Sequence, residues 1–199
     1  MDQLIEQLKV LLASTFSYYL KAHNFHWNVE GANFPQYHSL FEKVYTDAFE
    51  AVDTIAEEIR ALDSYTPGSL SRYSQLSIID DQINIPNAKS MINELIANNT
   101  SLIRELVKAY KLAESQEKLG LSNFLQDRID THRKHGWMLN SITKSTVNEN
   151  IDLYEALSKS QKRLFRDLEK IQQRKKPWPT VPTPAERQDR KSTRLNSSH

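Results

Sequence analysis

The sequence predicts an all-α protein: four long helices in a bundle, one long crossover containing a short helix, and a C-terminal helical extension. Three observations carry this. Apolar residues recur at helical spacing through four long stretches. Glycine is scarce, four in 199 residues, and Pro35, Pro67 and Pro86 fall between the stretches. The second and third stretches are joined by residues 65–86, while the other connections are short. One long crossover distinguishes such a bundle from an up-down-up-down arrangement.

The first helix spans residues 2–28, through Leu4, Ile5, Leu8, Leu11, Leu12, Phe16, Tyr19 and Leu20. Gly31 and Pro35 break the chain within residues 29–36. The second helix covers residues 37–63, on Phe41, Val44, Tyr45, Ala48, Val52, Ile55, Ile59 and Leu62, and Pro67-Gly68 closes it. The crossover holds a short helix near residues 70–79. Pro86-Asn87 opens a third helix over residues 87–118, and Gly120 separates it from a fourth over 121–145. Residues 1–146 thus form the bundle domain. Residues 147–176 read as a basic amphipathic helical extension, and 177–188 as a Pro-rich linker in which PWPTVPTP cannot be helical. Residues 189–199 resemble the in-frame translation of a common sequencing adapter and are set aside from fold and function.

Composition excludes several classes. Without cysteine there is no thiolate metal site, no Cys nucleophile and no dependence on an oxidising compartment. No run approaches 18 apolar residues, so no membrane-spanning helix is expected. The N-terminus reads as an amphipathic helix rather than a signal peptide, which points to the cytoplasm. Residues 1–146 carry 14 Lys+Arg against 18 Asp+Glu, and residues 147–199 carry 12 against 7, so the net +1 divides into −4 and +5. The acidic front suits cation traffic and the basic back suits nucleic acid.

Metal-suited side chains gather on the first two helices: His26, His38, Glu42, Asp53 and Glu57. With Phe41 at the centre of the apolar stripe, His38 falls about 60° away, Glu42 about 100°, Asp53 about 120° and Glu57 about 160°. All four share one flank. His38 and Glu42 are four residues apart, as are Asp53 and Glu57, so each pair can reach one ion. Imidazole with carboxylate suits iron, manganese or zinc better than calcium or magnesium. Yet His38 and Asp53 stand about 22 Å apart along the helix, far beyond two bonds of about 2 Å. A second copy of the helix lying antiparallel would bring the pairs together twice, as a two-fold dimer does. Phe49 lies midway on the same flank and suits such a seam. Two charged pairs on a solvated face are the plainer alternative.

Residues 21–62 resemble the Dps family (DNA-binding protein from starved cells), a mini-ferritin family, through HWNVEGANF at 26–34, HSLFE at 38–42 and DTIAE at 53–57. HRKHGWMLNSI at 132–142 and the helix order extend the likeness to about three quarters of the chain. The resemblance implies a ferritin-like fold and a ferroxidase site holding Fe(II). His26, His38 and Glu42 would come from one subunit and Asp53 and Glu57 from its two-fold mate. It also implies a hollow dodecamer that oxidises Fe(II) with hydrogen peroxide, stores Fe(III) mineral and protects DNA. Position 42 is often Asp in that family and is Glu here. The Glu-x-x-His motif of other ferritins, which would place an iron pair within one subunit, is absent.

Other residues keep two readings. Trp27 intercepts stray oxidising equivalents or is an ordinary interface aromatic. His23 is an orienting or structural neighbour of His26. His132 and His135 are hydrogen-bonded structural residues or a further metal pair. Asp127 and Asp130 line an iron entry pore or a solvated face, and Trp137 and Met138 belong to core or interface. For DNA, the family often uses a lysine-rich N-terminal tail, whereas here the chain enters helix almost at once and has only Lys9 and Lys21 before residue 28. Lys159, Lys162, Arg163, Arg166, Lys170, Arg174, Lys175 and Lys176 are the substitute, or else one face of a solvated helix. A DNA-compacting structural protein with a vestigial metal site is the competing function.

Overall fold

A computed structural model describes the backbone of residues 2–156 and the side chains of residues 2–144. Five helices follow in order: α1 (Asp2–Asn28), α2 (Phe34–Ala61), α3 (Leu70–Leu76), α4 (Ala88–Ser115) and α5 (Leu119–Ala156). The architecture is the ferritin-like helical bundle, with α3 inside the long crossover. Within the compact unit of residues 1–146, α1 packs against α2, α4 and α3. Side-chain bonds from α5 reach α2 through Arg128–Asp47 and α4 through His132–Asn99.

Local chemistry sets most boundaries. Gly31, at φ 112°, turns the chain between α1 and α2, and Pro35 sits in the first turn of α2, where no N–H is required. Ser69 and Asn87 cap α3 and α4 by accepting the N–H of Arg72 and Ser90. Two helix ends close without glycine. At the end of α2 the Asp63 and Ser64 N–H groups donate to Arg60 and Ile59 carbonyls; at the end of α4 Glu117 and Lys118 donate to Glu114 and Ala113. Both are Schellman closures, with Asp63 (φ 63°) and Glu117 (φ 56°) in the left-handed position usually given to glycine.

Two expectations are corrected. The α4–α5 break lies at Gln116–Lys118, and Gly120 falls inside the first turn of α5. The fourth helix does not stop near 145 but continues to Ala156. Nothing between Lys144 and Ala156 is Gly or Pro, so poor helix formers there weaken the helix without ending it. The rest of the basic extension, the Pro-rich linker and residues 189–199 lie outside the described residues.

The core is the apolar stripe of each helix: Leu4, Leu8, Leu11, Leu12 and Phe25 from α1, Phe41, Val44, Ile55 and Ile59 from α2, Met91, Leu95 and Leu102 from α4, Leu121, Leu125 and Leu139 from α5. Each fully buried large apolar side chain stabilises the fold by roughly 1.5–3 kcal/mol. The crossover is pinned across α1: Ser14 Oγ accepts the N–H of Ile78 at 3.1 Å, and Asn24 donates to the Gln82 carbonyl.

Gly136 allows α5 to approach α4 closely. A Cβ there would stand 3.0 Å from Asn99 Nδ2, which cannot yield freely because it donates to the His132 carbonyl at 2.8 Å. Gly136→Ala is therefore expected to destabilise the protein by about 1–3 kcal/mol of overpacking, against about 1 kcal/mol of helix propensity gained. A urea midpoint above that of the unaltered protein would show that Asn99 gives way.

Candidate metal centre

The α1–α2 hairpin brings His26 and His38 face to face. The apolar neighbours Phe25 and Val29 anchor the end of α1, and Phe41 anchors the first turns of α2. The two imidazoles stack with centroids 3.7 Å apart and planes 22° from parallel. His26 Nδ1 donates to the His38 carbonyl at 2.9 Å, and His38 Nδ1 donates to the His26 carbonyl at 2.8 Å. A carbonyl can only accept, so both Nδ1 atoms carry the proton. In the neutral rings this leaves each Nε2 lone pair unused by these bonds, with the rings held by backbone partners of the kind that orient metal-bound histidines.

Glu42 lies one turn beyond His38, on the exposed side of α2. Asp53 and Glu57 are exposed further along, separated from Glu42 by Phe49, whose ring is 56% exposed and packs on Tyr19. The fold thus gathers His26 and His38, sets Glu42 one helical turn along α2 from His38, and leaves Asp53 and Glu57 apart. Among the described residues no three His, Asp or Glu side chains in the chain stand close enough to hold an ion. Spacing along α2 accounts for the separation of Asp53 and Glu57 from the histidines, but not for Glu42, whose carboxylate does not join His26 and His38 in a three-residue group within this chain.

Aromatic rings surround the histidines. His23 stacks on Tyr45 with centroids 4.0 Å apart at 19°, and against Trp27 at 4.0 Å. Tyr45 meets His26 edge-on at 5.1 Å. Trp27 is 61% exposed. Asp127 and Asp130 are both exposed on α5, the latter 3.9 Å from Arg133. Trp137 is exposed too, so within one chain it is not a core residue.

A second polar group lies inside the bundle. Arg128 holds Asp47 with both nitrogens, at 2.8 and 2.7 Å. Its Nη2 also reaches His132 Nε2 at 3.4 Å, while His132 Nδ1 donates to Asn99 Oδ1 at 2.7 Å. His135 Nδ1 lies 3.8 Å from Asp47. Neither that nitrogen nor the Tyr18 hydroxyl has a hydrogen-bond partner among the described residues, although both are buried. Burial pushes the His132 pKa down to about 3, reinforced by Arg128 and His135. Burial also lowers that of His135, against the opposing pull of Asp47. For Asp47, burial acts to raise the pKa, but the Arg128 hydrogen bond and charge outweigh it and hold the carboxyl low.

His132 is hydrogen-bonded, as its structural reading expects, whereas His135 is not. Sequence reasoning does not single out Asp47, Arg128, Asn99 or Tyr18. A signal exists nonetheless: Leu121, Leu125, Arg128, His132, His135 and Leu139 form a single helical stripe. Three polar residues in core register demand a buried partner.

Comparison with known proteins follows the same lines. The family model for the ferritin-like domain matches residues 5–147. The DNA protection during starvation protein 2 of Bacillus anthracis is 30% identical over 137 residues, which cover 69% of this chain and 94% of that protein. The DNA protection during starvation protein of Brevibacillus brevis is 32% identical over 122 residues, 61% of this chain and 81% of that one. Among solved structures, a Dps protein from Bacillus brevis superposes with a TM-score of 0.69 at 27% identity, covering 71% of this chain and 95% of that one. The Dps protein of Vibrio cholerae O1, described as a member of a broad superfamily of ferritin-like diiron-carboxylate proteins, gives 0.69 at 28%, covering 71% and 89%.

Proposed function

The chain belongs to the ferritin-like family, in its Dps branch, and on that premise we propose that it is a ferroxidase that oxidises Fe(II) and stores the Fe(III) product. One observation carries the reading: the reciprocal His26–His38 pair, with Glu42, Asp53 and Glu57 along one exposed flank of α2. Two chains related by a two-fold axis, with their α2 helices antiparallel, would face the His26, His38 and Glu42 set of one with the Asp53 and Glu57 set of the other. Each dimer then carries two equivalent sites. The assembly would be a dodecamer built from six such dimers, in the cytoplasm.

Iron is the substrate. Imidazole Nε2 atoms and carboxylate oxygens bind Fe(II) and, being anionic in part, favour Fe(III) more strongly, which eases electron loss. With hydrogen peroxide as oxidant, two Fe(II) each give one electron, the O–O bond breaks and two hydroxide ions form. Taking both electrons from an iron pair releases no hydroxyl radical, and this is the chemistry by which the protein would protect DNA. Glu42, longer than the Asp common in relatives, keeps the carboxylate while shifting where it meets the metal.

The test is Fe(II) added without oxygen, followed by peroxide. Ferric absorbance should rise at two Fe(II) per peroxide, and iron should accumulate well beyond the number of ligand sites. No ferric product under these conditions would leave the DNA-compacting alternative. DNA binding is a separate property, assigned to Lys162, Arg163, Arg166, Lys170, Arg174, Lys175 and Lys176. Retardation of DNA in a gel should fall steeply with salt and disappear on deleting residues 147–188. Retardation surviving the deletion would clear those residues.

A further inference from the structure

The polar group between α2 and α5 takes no part in the iron chemistry above, yet two of its members, Asp47 and His132, hold one cation between them, and that cation is a side chain. Arg128 Nη2 lies 2.7 Å from Asp47 Oδ2 and 3.4 Å from His132 Nε2. His135 Nδ1 stands 3.8 Å from the same Asp47 oxygen and has no hydrogen-bond partner among the described residues, at 5% exposure. Two donors on one first-row ion, each about 2.1 Å from it, lie at most about 4.2 Å apart. The Asp47–His135 separation is already within that limit. His132 is oriented as a metal ligand would be. Its Nδ1 proton is committed to Asn99 Oδ1 at 2.7 Å, which turns the Nε2 lone pair toward Arg128. One carboxylate and two imidazoles form a donor set suited to Fe(II), Co(II) or Zn(II).

We propose that Asp47, His132 and His135 are a latent two-His, one-carboxylate donor set at the edge of the bundle core, and that the Arg128 guanidinium is the resident cation that keeps divalent ions out of it. The three donors do not share an ion as they stand, because the guanidinium is lodged between Asp47 and His132. A guanidinium does not deprotonate at any pH a protein survives, so the barrier to a second cation is permanent. The arrangement also neutralises Asp47, whose half-buried charge would otherwise be costly. Its consequence is specificity: divalent metal is denied the core and left to the exposed flank of α2. Only that last clause rests on the ferroxidase reading; the site rests on its own geometry.

The full-length chain with Arg128→Ala, probed with Co(II) alone, tests this. Visible absorption and equilibrium dialysis should show one Co(II) per chain beyond what the unaltered protein binds. That ion should be lost when His135→Ala is added, and should not be gained in Arg128→Lys, which retains a cation. Co(II) should also raise the unfolding midpoint of Arg128→Ala more than that of the unaltered protein. This readout holds even if the variant is only partly folded without metal. The gain should persist in a chain that also carries His38→Ala and Asp53→Ala. If those replacements remove no Co(II), the α2 flank reading fails while the core site stands. No additional Co(II) and no metal-dependent rise in midpoint would overturn the proposal. So would a His135-dependent Co(II) already bound in the unaltered protein.

Discussion

Replacing His38 and Asp53 together by Ala is expected to slow peroxide-dependent Fe(II) oxidation by at least about 100-fold. Loss of a residue that merely supports a metal ligand costs about 10–100-fold, and these are proposed as ligands themselves. Each single replacement should come close to the double, because His38 and Asp53 serve the same ion and groups acting as a unit are not additive. The fold should survive. Asp53 is exposed and stands outside the core, and His38 contributes one backbone hydrogen bond at 2.8 Å, worth about 0.5–1.5 kcal/mol. Stopped-flow ferric absorbance measures the rate and circular dichroism checks the helices. An unchanged rate in the double variant removes the catalytic assignment.

The second large effect is an acid-side loss of stability that begins well above the carboxylate range. In the unfolded chain His132 titrates near 6.5, while in the bundle burial pushes it down to about 3. Between those values the unfolded chain binds a proton that the native chain does not, so stability falls as pH falls. From pH 8 to pH 5, His132 alone accounts for about 2 kcal/mol per chain. His135, also lowered by burial, adds in the same direction. Asp47, held low by Arg128 against the effect of burial, contributes stability that is lost only at more acid pH, below its unfolded value. Urea midpoints at fixed protein concentration should therefore decline from pH 7 to pH 5, and His132→Gln, though less stable at pH 8, should flatten that decline. A midpoint constant over this interval would mean that the imidazoles are not held neutral by the core.

How much of this is legible in the sequence depends on what each feature requires. The four long helices and the α2 flank follow from the 3.6-residue period, which is local. So the helical turn alone places Glu42, Phe49, Asp53 and Glu57 on one exposed face. The His26–His38 contact can be expected only as two ligands on neighbouring helices. Their crossed Nδ1–carbonyl bonds depend on how closely the hairpin closes, which no local pattern encodes. Gly120 draws the expected α4–α5 break because glycine is the usual left-handed residue, whereas Glu117 takes that conformation here. The core network is hidden for a different reason. Arg128, His132 and His135 sit in α5's apolar register, but their partner Asp47 lies on the far side of α2 from the ligand flank. Pairing them needs knowledge of which helices are neighbours.

Sites completed across a two-fold axis are tested most directly by mixing two inactive chains. In a dimer of one His38→Ala chain and one Asp53→Ala chain, one site loses both residues and the other keeps a full set. Co-refolded in equal amounts, the two variants should regain about a quarter of the unaltered activity: half the dimers are mixed and each has one intact site of two. A mixture no more active than either variant alone would contradict the shared site and the assembly built on it.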